Sequence, residues 1–395
     1  MSIDPSQANP SAPNGDGGAG ASEAELASFY ADLSDCHLYP LWALTQQLLP
    51  PTPRPRAVPW LWPASMLEAL AERALRLVPV ERGGERRVLS LGNPGMHGSP
   101  YVAGTLWAAI QCLGPGETAP AHRHTPGAIR FVLEGSGVWT TVDGDACDME
   151  PGDLLLTPAW SWHEHTSAGD SRMLWFDGLD LPMIEALDAV FFEPYPELRQ
   201  PDEGEPHNRS EAGAPAGPRH VAGAVDGPLD PRPSPLLIYR WRDTDAELER
   251  LAARSKGDMV SLEFTNPTNG ASVLPTLSCG MHRLPAGGSS QPIRRMGNAV
   301  FVVYRGSGHT VIDGTRFDWG PGDMFVVPSW SAVEHHSGEG ADLFSLGDTP
   351  VLRAIGIYRE ESLAAPQEVR AIFDRLDAGR ADPALAGRAS GRPGD

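Results

Sequence analysis

The 395-residue chain has few cysteines and no long apolar run. Its four cysteines, Cys36, Cys112, Cys147 and Cys279, are scattered without a Cys-x-x-Cys pair, which is typical of reduced thiols rather than of disulfides or a zinc ribbon. No stretch approaches the ~18 uninterrupted apolar residues that a membrane-spanning helix needs. The first residues also lack the basic and apolar regions of a signal peptide. We therefore expect a cytoplasmic protein with no membrane partner.

Positive charge is also scarce. The chain has 31 Lys and Arg against 51 Asp and Glu, a formal net charge of −20. This balance argues against nucleic acid and anionic lipid as partners. An anionic substrate would need a local cluster of arginines to hold it.

What the chain does contain is apolar residues and turn formers. Hydrophobic residues make up 41% of the sequence, and 43 Gly with 39 Pro predict many turns rather than long helices. The length favours two domains. From about residue 86, short alternating runs separated by Gly, Pro and Asp indicate an all-β structure. The composition and pattern predict these segments: 1–21 disordered, 22–84 helical, 85–195 a first β-domain, 196–235 a Pro/Gly-rich linker, 236–360 a second β-domain and 361–395 a tail.

The second β-domain repeats the first. "GSGVWTTVDGDACDMEPGDLLLTPAWSWHEH" (135–165) aligns with "GSGHTVIDGTRFDWGPGDMFVVPSWSAVEHH" (306–336) after one deletion. Both copies contain GSG, DG and PGD followed by a proline and a Trp-Ser pair. An internal repeat of this length predicts two copies of one β-fold.

Four histidines stand at matching spacings in the first copy. His122 and His124 are one residue apart, as are His163 and His165. Residues at i and i+2 on a strand face the same side, so two imidazoles can converge on one ion, and a third can come from a neighbouring strand. Imidazole nitrogens suit Fe, Zn, Cu and Ni.

The spacing around these histidines matches both cupin motifs. Gly116, His122 and His124 fit the first motif, and Gly152, Pro158 and His163 fit the second. We therefore predict an all-β fold of two cupin barrels (double-stranded β-helix, jelly-roll) after an N-terminal helical segment. The usual glutamate ligand is absent, because Ala128 and Ile129 stand at its positions. His122, His124 and His163 are the predicted ligands, with His165 as rival for the third place.

A neutral three-histidine set leaves the metal its full charge and about three open positions. That arrangement suits an ion that holds a bidentate anion and O₂ together, and Fe(II) is the expected ion. Zinc also fits the ligands but could not activate oxygen. In the second copy, Ile293, Arg295 and Val333 align with the three ligands. The second barrel is therefore expected to be metal-free, with no metal on His309, His335 or His336.

These residues together resemble the gentisate 1,2-dioxygenase family, bicupin Fe(II) enzymes that open the ring of hydroxybenzoates. The resemblance rests on "ERRVLSLGNPG" (85–95), "TLWAAIQ" (105–111), "PAHRHTPGAIRFVLEGSG" (120–137), "GDLLLTPAWSWHEH" (152–165) and "WFDGLDLP" (175–182). It implies iron on His122, His124 and His163 and a homotetramer in the cytoplasm. It also implies a substrate pocket formed by Arg86, Trp107, Gln111, Arg130, His165 and Asp177.

The residue types agree with parts of this assignment. Arg130 shares the strand parity of His122 and His124, so its guanidinium could pair bidentately with a carboxylate. Trp107 and Gln111 share one strand face, Asp177 could accept a hydroxyl proton, and only the resemblance chooses Arg86 over Arg87. Salicylate-cleaving relatives tend to have Gly at the position of Ala109, whose methyl group would crowd the bound ring.

The implied reaction opens the ring between its carboxyl-bearing and hydroxyl-bearing carbons. O₂ is the co-substrate, His165 moves the hydroxyl proton, and gentisate would give maleylpyruvate. Salicylate, substituted salicylates and 1-hydroxy-2-naphthoate are the alternative substrates. A non-catalytic bicupin or a cupin isomerase remains a more distant alternative.

Overall fold

The computed structural model describes residues 22–82, 87–197, 199–201, 205–211, 232–255 and 257–375. The predicted disorder of residues 1–21 and the predicted role of Arg86 fall outside these ranges. The α-helices are α1 (Glu23–Asp35), α2 (Leu41–Leu48), α3 (Ala64–Leu77), α4 (Leu181–Ala186), α5 (Trp241–Ala252) and α6 (Thr349–Ala354). Short 3₁₀ turns lie at Val80–Arg82, Pro94–Met96 and Arg209–Glu211.

Most of the remaining structure is β-strand. The strands of the first half are β1 (Trp60–Trp62), β2 (Val88–Ser90), β3 (Trp107–Leu113), β4 (Thr118–His124), β5 (Ala128–Glu134), β6 (Val138–Val142), β7 (Asp145–Met149), β8 (Leu154–Thr157), β9 (His163–Ser167), β10 (Met173–Leu179) and β11 (Phe192–Pro194). Those of the second half are β12 (Ile238–Tyr239), β13 (Val260–Phe264), β14 (Ser278–Leu284), β15 (Ile293–Arg295), β16 (Ala299–Gly306), β17 (Gly308–Ile312), β18 (Thr315–Trp319), β19 (Met324–Val327), β20 (Ala332–His336), β21 (Ala341–Gly347), β22 (Glu360–Ser362) and β23 (Ala371–Ile372).

The chain forms two compact units that divide between Arg54 and Pro55. In the first unit, α1 begins with a capping box: Ser22 Oγ accepts from the backbone N of Glu25 at 3.2 Å, and the Glu25 carboxylate accepts from the backbone N of Ser22 at 2.7 Å. Trp42 Nε1 on α2 donates to the Tyr30 hydroxyl on α1 at 3.2 Å. None of the helices in the described part of the chain is long and apolar enough to cross a bilayer.

The second unit contains two double-sheet domains. In the first, one sheet has the strand order β12-β8-β5-β10-β3-β2 and the facing sheet has the order β11-β4-β9-β6-β7. Strands β6 and β7 are joined by a tight turn in which Asp143 and Gly144 have φ of 47° and 82°. Asp-Gly suits this type I′ geometry, because both residues tolerate positive φ. The predicted cupin fold is confirmed.

The second domain repeats this arrangement. Its sheets have the orders β1-β19-β16-β21-β14-β13 and β22-β15-β20-β17-β18-β23. The pairing of Ile293 with Val333 reproduces the pairing of His122 with His163 in the first domain. The register therefore supports the residue correspondence read from the sequence repeat.

Strand pairing crosses the predicted segment boundaries, because each half of the chain contributes one strand to a sheet of the other. Trp60–Trp62 lies within the segment predicted to be helical, yet it pairs with β19 of the second domain. Ile238–Tyr239 was assigned to the second domain but pairs with β8 of the first. Both strands are short and apolar, and each covers an edge that would otherwise expose unpaired backbone groups. The predicted tail also contributes, since β23 pairs with β18.

The main core lies where the six-stranded sheet of the first domain packs against the β1-β19-β16-β21-β14-β13 sheet of the second. Phe131 of the first domain stacks on Phe344 of the second, with ring centroids 4.2 Å apart. Hydrogen bonds cross this interface reciprocally, from the Thr105 hydroxyl to Asp348 and from the Thr276 hydroxyl to Asp180. The opposite faces of these sheets turn toward the interiors of the two barrels. The four cysteines are free thiols, as the sequence predicts.

Candidate metal centre

The histidines of the first domain converge because of strand alternation and pairing. His122 and His124 are both on β4, and His122 is paired with His163 on the adjacent β9. The register shift between Ala119 and His122 marks an irregularity in the strand pairing just before these histidines. On the other side of β4, β11 covers the edge, with Phe192 opposite His124.

The three imidazoles lie close enough to share one ion. One ring nitrogen from each of His122, His124 and His163 falls within 4.8 Å of the other two. Their ring centroids are 4.2 Å apart for His122 and His163, 4.9 Å for His124 and His163, and 5.6 Å for His122 and His124. His165 is set apart, since its ring centroid is 6.3 Å from that of His163.

Backbone carbonyls orient all three rings in the same way. The Nδ1 atoms of His122, His124 and His163 donate to the carbonyl oxygens of Pro120, Pro126 and Ser161 at 2.9, 2.8 and 3.0 Å. A carbonyl can only accept, so each Nδ1 carries a proton, and in a neutral imidazole Nε2 then has the free lone pair. The Nε2 of His163 is buried without a hydrogen-bond partner among the described residues. Burial, with smaller contributions from His122, Arg130, His124 and His165, lowers the pKa of His163 well below its usual value, so the ring is neutral.

His165 lies two residues after His163 on β9. It is 1% exposed, its Nδ1 is 2.8 Å from the Thr140 hydroxyl, and its ring is 5.1 Å from that of Trp175. Burial, followed by the charge of Arg130 and by His122, lowers its pKa well below the usual value. His165 is thus a neutral imidazole next to the triad.

Arg130 and Asp177 form a buried ion pair in the barrel interior. They face each other across β5 and β10, and Arg130 Nε is 3.3 Å from Asp177 Oδ1 with both side chains 5% exposed. Arg130 Nη1 also donates to the Thr157 hydroxyl. Burial raises the pKa of Asp177 to about 6, although Arg130 and the indole N–H of Trp175 lower it. The structure therefore brings together two predicted site residues that already bind each other.

The remaining predicted residues lie on β3, next to this pair. Ala109 is paired with Asp177 on one side, and Gln111 is paired with Trp175. Trp107, Ala109 and Gln111 alternate with Ala108 and Ile110, which join the core between the domains. The β3 trio therefore shares the inward face with Asp177. The Trp107 indole N–H donates to Ser90 Oγ at 2.9 Å.

Arg87, the neighbour of the predicted pocket residue Arg86, has structural contacts. Arg87 is 4% exposed, donates to the carbonyl of Val78 and forms an ion pair with Glu117. These contacts give Arg87 a structural role at the start of the first barrel.

Sequence reasoning missed three contributors to this site. The Phe192 ring stacks on His122 with centroids 5.2 Å apart, Thr157 binds Arg130, and Thr140 binds His165. The parity of Thr157, two residues past Leu155 on a strand, could have suggested an inward hydroxyl. Phe192 is on a short strand that follows a loop, and no local sequence pattern predicts that this strand pairs next to the histidines.

Comparison with known proteins places these features in context. The cupin domain family matches residues 109–179. The chain is 46% identical over 344 residues to a gentisate 1,2-dioxygenase from Streptomyces sp, covering 85% of this chain and 94% of that protein. It is 37% identical over 364 residues to a 5-aminosalicylate 1,2-dioxygenase from Comamonas sp, covering 90% and 95%. The solved structure of a salicylate 1,2-dioxygenase from Pseudoaminobacter salicylatoxidans, in adducts with gentisate, superposes with a TM-score of 0.80 at 39% identity over 88% of this chain and 96% of that one.

Proposed function

Because this chain belongs to the gentisate 1,2-dioxygenase family and is a ring-cleaving dioxygenase, we propose that its substrate is gentisate and its metal is Fe(II). The observation that carries this proposal is the triad of His122, His124 and His163, with three Nδ1 atoms bound to carbonyls and one ring nitrogen of each histidine within 4.8 Å of the other two. The product would be maleylpyruvate, with O₂ as co-substrate.

The triad fits a divalent metal that prefers imidazole. All three rings have the tautomer that ligation needs, and the buried Nε2 of His163 has no other partner among the described residues. His122, His124 and His163 would hold Fe(II), which would supply a cation for the carboxylate and neighbouring hydroxyl of a hydroxybenzoate and the redox chemistry that O₂ needs to react with the electron-rich ring. Zinc would fit the same ligands without supplying that oxygen chemistry.

The chain's own groups would bind and orient the substrate. Arg130 would meet the substrate carboxylate through Nη2, since its Nη1 donates to the Thr157 hydroxyl and its Nε faces Asp177 at 3.3 Å. Trp107 would form one wall of the pocket, and Gln111 would donate a hydrogen bond from the same face of β3. Arg86 is proposed as a further anion-binding group on the family resemblance.

His165 and Asp177 would handle protons. The Thr140 hydroxyl donates to Met149 Sδ at 3.1 Å, so it would accept from His165 Nδ1. Neutral His165 would then have its Nε2 lone pair free to accept the proton of the substrate hydroxyl next to the carboxyl group. Asp177, with its pKa raised to about 6, would accept a hydrogen bond from the second hydroxyl of gentisate. Salicylate lacks that hydroxyl, which is one reason to rank gentisate first. Salicylate, substituted salicylates and 1-hydroxy-2-naphthoate are the alternative substrates.

Ala109 supplies a test of this substrate ranking. Its methyl group is fully buried on the inward face of β3, next to Asp177. We expect Ala109→Gly to raise kcat/KM for salicylate relative to gentisate by about 10- to 100-fold, because a methyl group in a tight pocket is worth ~1–3 kcal/mol of discrimination. Oxygen uptake would be measured with gentisate, salicylate, 5-substituted salicylates and 1-hydroxy-2-naphthoate.

Ala108→Gly is the matched control, since Ala108 neighbours Ala109 but faces the core between the domains. It should leave the substrate ratio unchanged. A wild-type kcat/KM that is higher for another of these acids than for gentisate would refute the ranking while leaving ring cleavage intact.

We also propose that the protein is a cytoplasmic homotetramer. Large apolar side chains are exposed on the two N-terminal helices, including Phe29, Leu41 and Trp42, which are 44%, 53% and 67% exposed. Such groups suit a subunit contact. Light scattering of the purified protein would give the mass, and a monomer at micromolar concentration would refute the proposal.

A further inference from the structure

The second barrel contains a cavity of about 560 Å³ that the proposed function does not use. It lies at the place equivalent to the first domain's histidine site, because Ile293, Arg295 and Val333, which align with His122, His124 and His163, all line it. A volume of this size suits a small organic molecule.

Arg295 is the distinctive group of this cavity. It is half-buried on β15, and none of the ion pairs or side-chain hydrogen bonds of the described residues involves its guanidinium. Nearby arginines differ, since Arg294 lies over the Trp330 ring at 5.8 Å and Arg359 is paired with Glu361. The chain has a net charge of −20, so a guanidinium in a cavity without an ion-pair partner would favour the binding of an anion there.

His335, the counterpart of His165, presents a second donor to the cavity. It is 4% exposed and lines the cavity, and its Nδ1 is 2.8 Å from the Thr310 hydroxyl. That hydroxyl already accepts the indole N–H of Trp319 at 2.9 Å, so its own proton is available for His335 Nδ1. The proton of His335 then resides on Nε2, which can donate to a ligand.

The rest of the lining combines hydrogen-bonding groups with apolar walls. His282 is held between the Ser261 and Ser345 hydroxyls, both at 2.8 Å from its ring nitrogens. Phe301 lines the same cavity, as do Ile293 and Val333. The ring of an aromatic ligand could pack against these apolar side chains while its charged group reaches Arg295.

None of the cavity's acidic groups forms an ion pair with Arg295 among the described residues, although Glu360 is its cross-strand partner. Glu360 and Asp258 are exposed at the rim, where water screens them, and Glu360 accepts the Tyr358 hydroxyl at 2.6 Å. Glu263 is inside the cavity and accepts a hydrogen bond from Ser272 Oγ at 3.1 Å. Burial raises its pKa, against smaller opposing effects of Arg353 and Arg295. A ligand hydroxyl could bind Glu263, whereas a ligand carboxylate would go to Arg295.

We propose that the second barrel is a binding site for a small aromatic carboxylate, held by Arg295 and the Nε2–H of His335. In this site the guanidinium of Arg295 replaces the metal as the cation that meets the carboxylate. The site is distinct from the catalytic one, and its occupancy does not require iron.

The test is ¹⁹F NMR titration of the Fe(II)-loaded full-length protein with 4-fluorobenzoate. Ligand in the first barrel would be broadened by the paramagnetic ion, whereas ligand in the second barrel should give a narrow, saturable bound signal. Arg295→Met should raise the Kd of the narrow signal by about tenfold or more, because a charge-assisted contact is lost. Arg295→Lys should fall between Arg295→Met and the wild type.

Arg294→Met is the matched control, because Arg294 is the adjacent residue and stacks on Trp330 rather than lining the cavity. It should leave the narrow signal unchanged, and thermal unfolding should confirm that all variants are folded. The absence of a narrow saturable signal up to about 10 mM ligand would overturn the proposal. So would equal effects of Arg294→Met and Arg295→Met. Failure of this test would leave the ring-cleavage activity untouched, which the same samples report by oxygen uptake.

Discussion

His163→Ala should lose bound iron and ring-cleaving activity together, with activity falling by more than about a hundredfold. His163 contributes one of three nitrogens, and its buried Nε2 has no other partner among the described residues. Two imidazoles on one strand would hold the ion far more weakly than three. Elemental analysis after gel filtration and oxygen uptake with gentisate would measure the two losses.

His165→Ala should lower ring-cleaving activity without loss of bound iron. Its ring is outside the triad, so iron should remain near the wild-type level, while turnover should fall by about 10²- to 10⁴-fold if His165 moves the substrate proton. His335→Ala is the control, because His335 makes the same threonine contact in the second barrel. It should change neither iron content nor turnover. If His165→Ala loses iron while His163→Ala retains it, the ligand assignment is wrong.

Arg130→Met should destabilise the protein by about 3–5 kcal/mol, because it leaves the buried Asp177 carboxylate without its counter-charge. Both side chains are 5% exposed, so solvent screens this pair little. Urea denaturation at equal iron loading would measure the loss. The double variant Arg130→Met/Asp177→Asn should recover most of the stability, since the amide carries no charge and can still accept from the Trp175 indole.

The cost of Arg130→Met should depend on pH. The pKa of Asp177 is raised by burial from 3.8 to about 6 in the folded protein, and removing Arg130 would raise it further. When the pKa of a carboxyl group is higher in the folded than in the unfolded protein, its contribution to stability is largest at low pH. That contribution is lost as the pH rises from the pKa in the unfolded protein to the pKa in the folded protein. The variant should therefore lose more stability at about pH 8 than at about pH 5, where Asp177 is protonated. A loss that does not change with pH would show that the pair is not the cause.

The fold and the convergence of three histidines were predictable because both depend on short-range patterns. The HxH spacing, the glycine and proline positions and the repeat all report on strand parity and turn geometry, and the structure has His122, His124 and His163 together. The parity of Arg130 likewise predicted an inward guanidinium, and Arg130 is buried in the barrel.

Long-range pairing was not predictable from these patterns. Nothing near Trp60–Trp62 or Ile238–Tyr239 indicates that each strand pairs with the opposite half of the chain. The ion pair between Arg130 and Asp177 depends on the register of two strands that are far apart in sequence. The sequence repeat places Arg295 at the position of a histidine in the first barrel. The cavity around Arg295 depends instead on the packing of the whole second barrel.

The most direct measurement of the central claim is oxygen uptake with gentisate while Fe(II) is added stepwise to metal-free protein. The claim is that one three-histidine site, in the first barrel, carries the reaction. The rate should rise linearly with added iron and reach a plateau at one iron per chain. In the second barrel, Ile293, Arg295 and Val333 stand at the positions of the three histidines. One O₂ should be consumed per gentisate. A break at two irons per chain, or full activity without iron, would contradict the account.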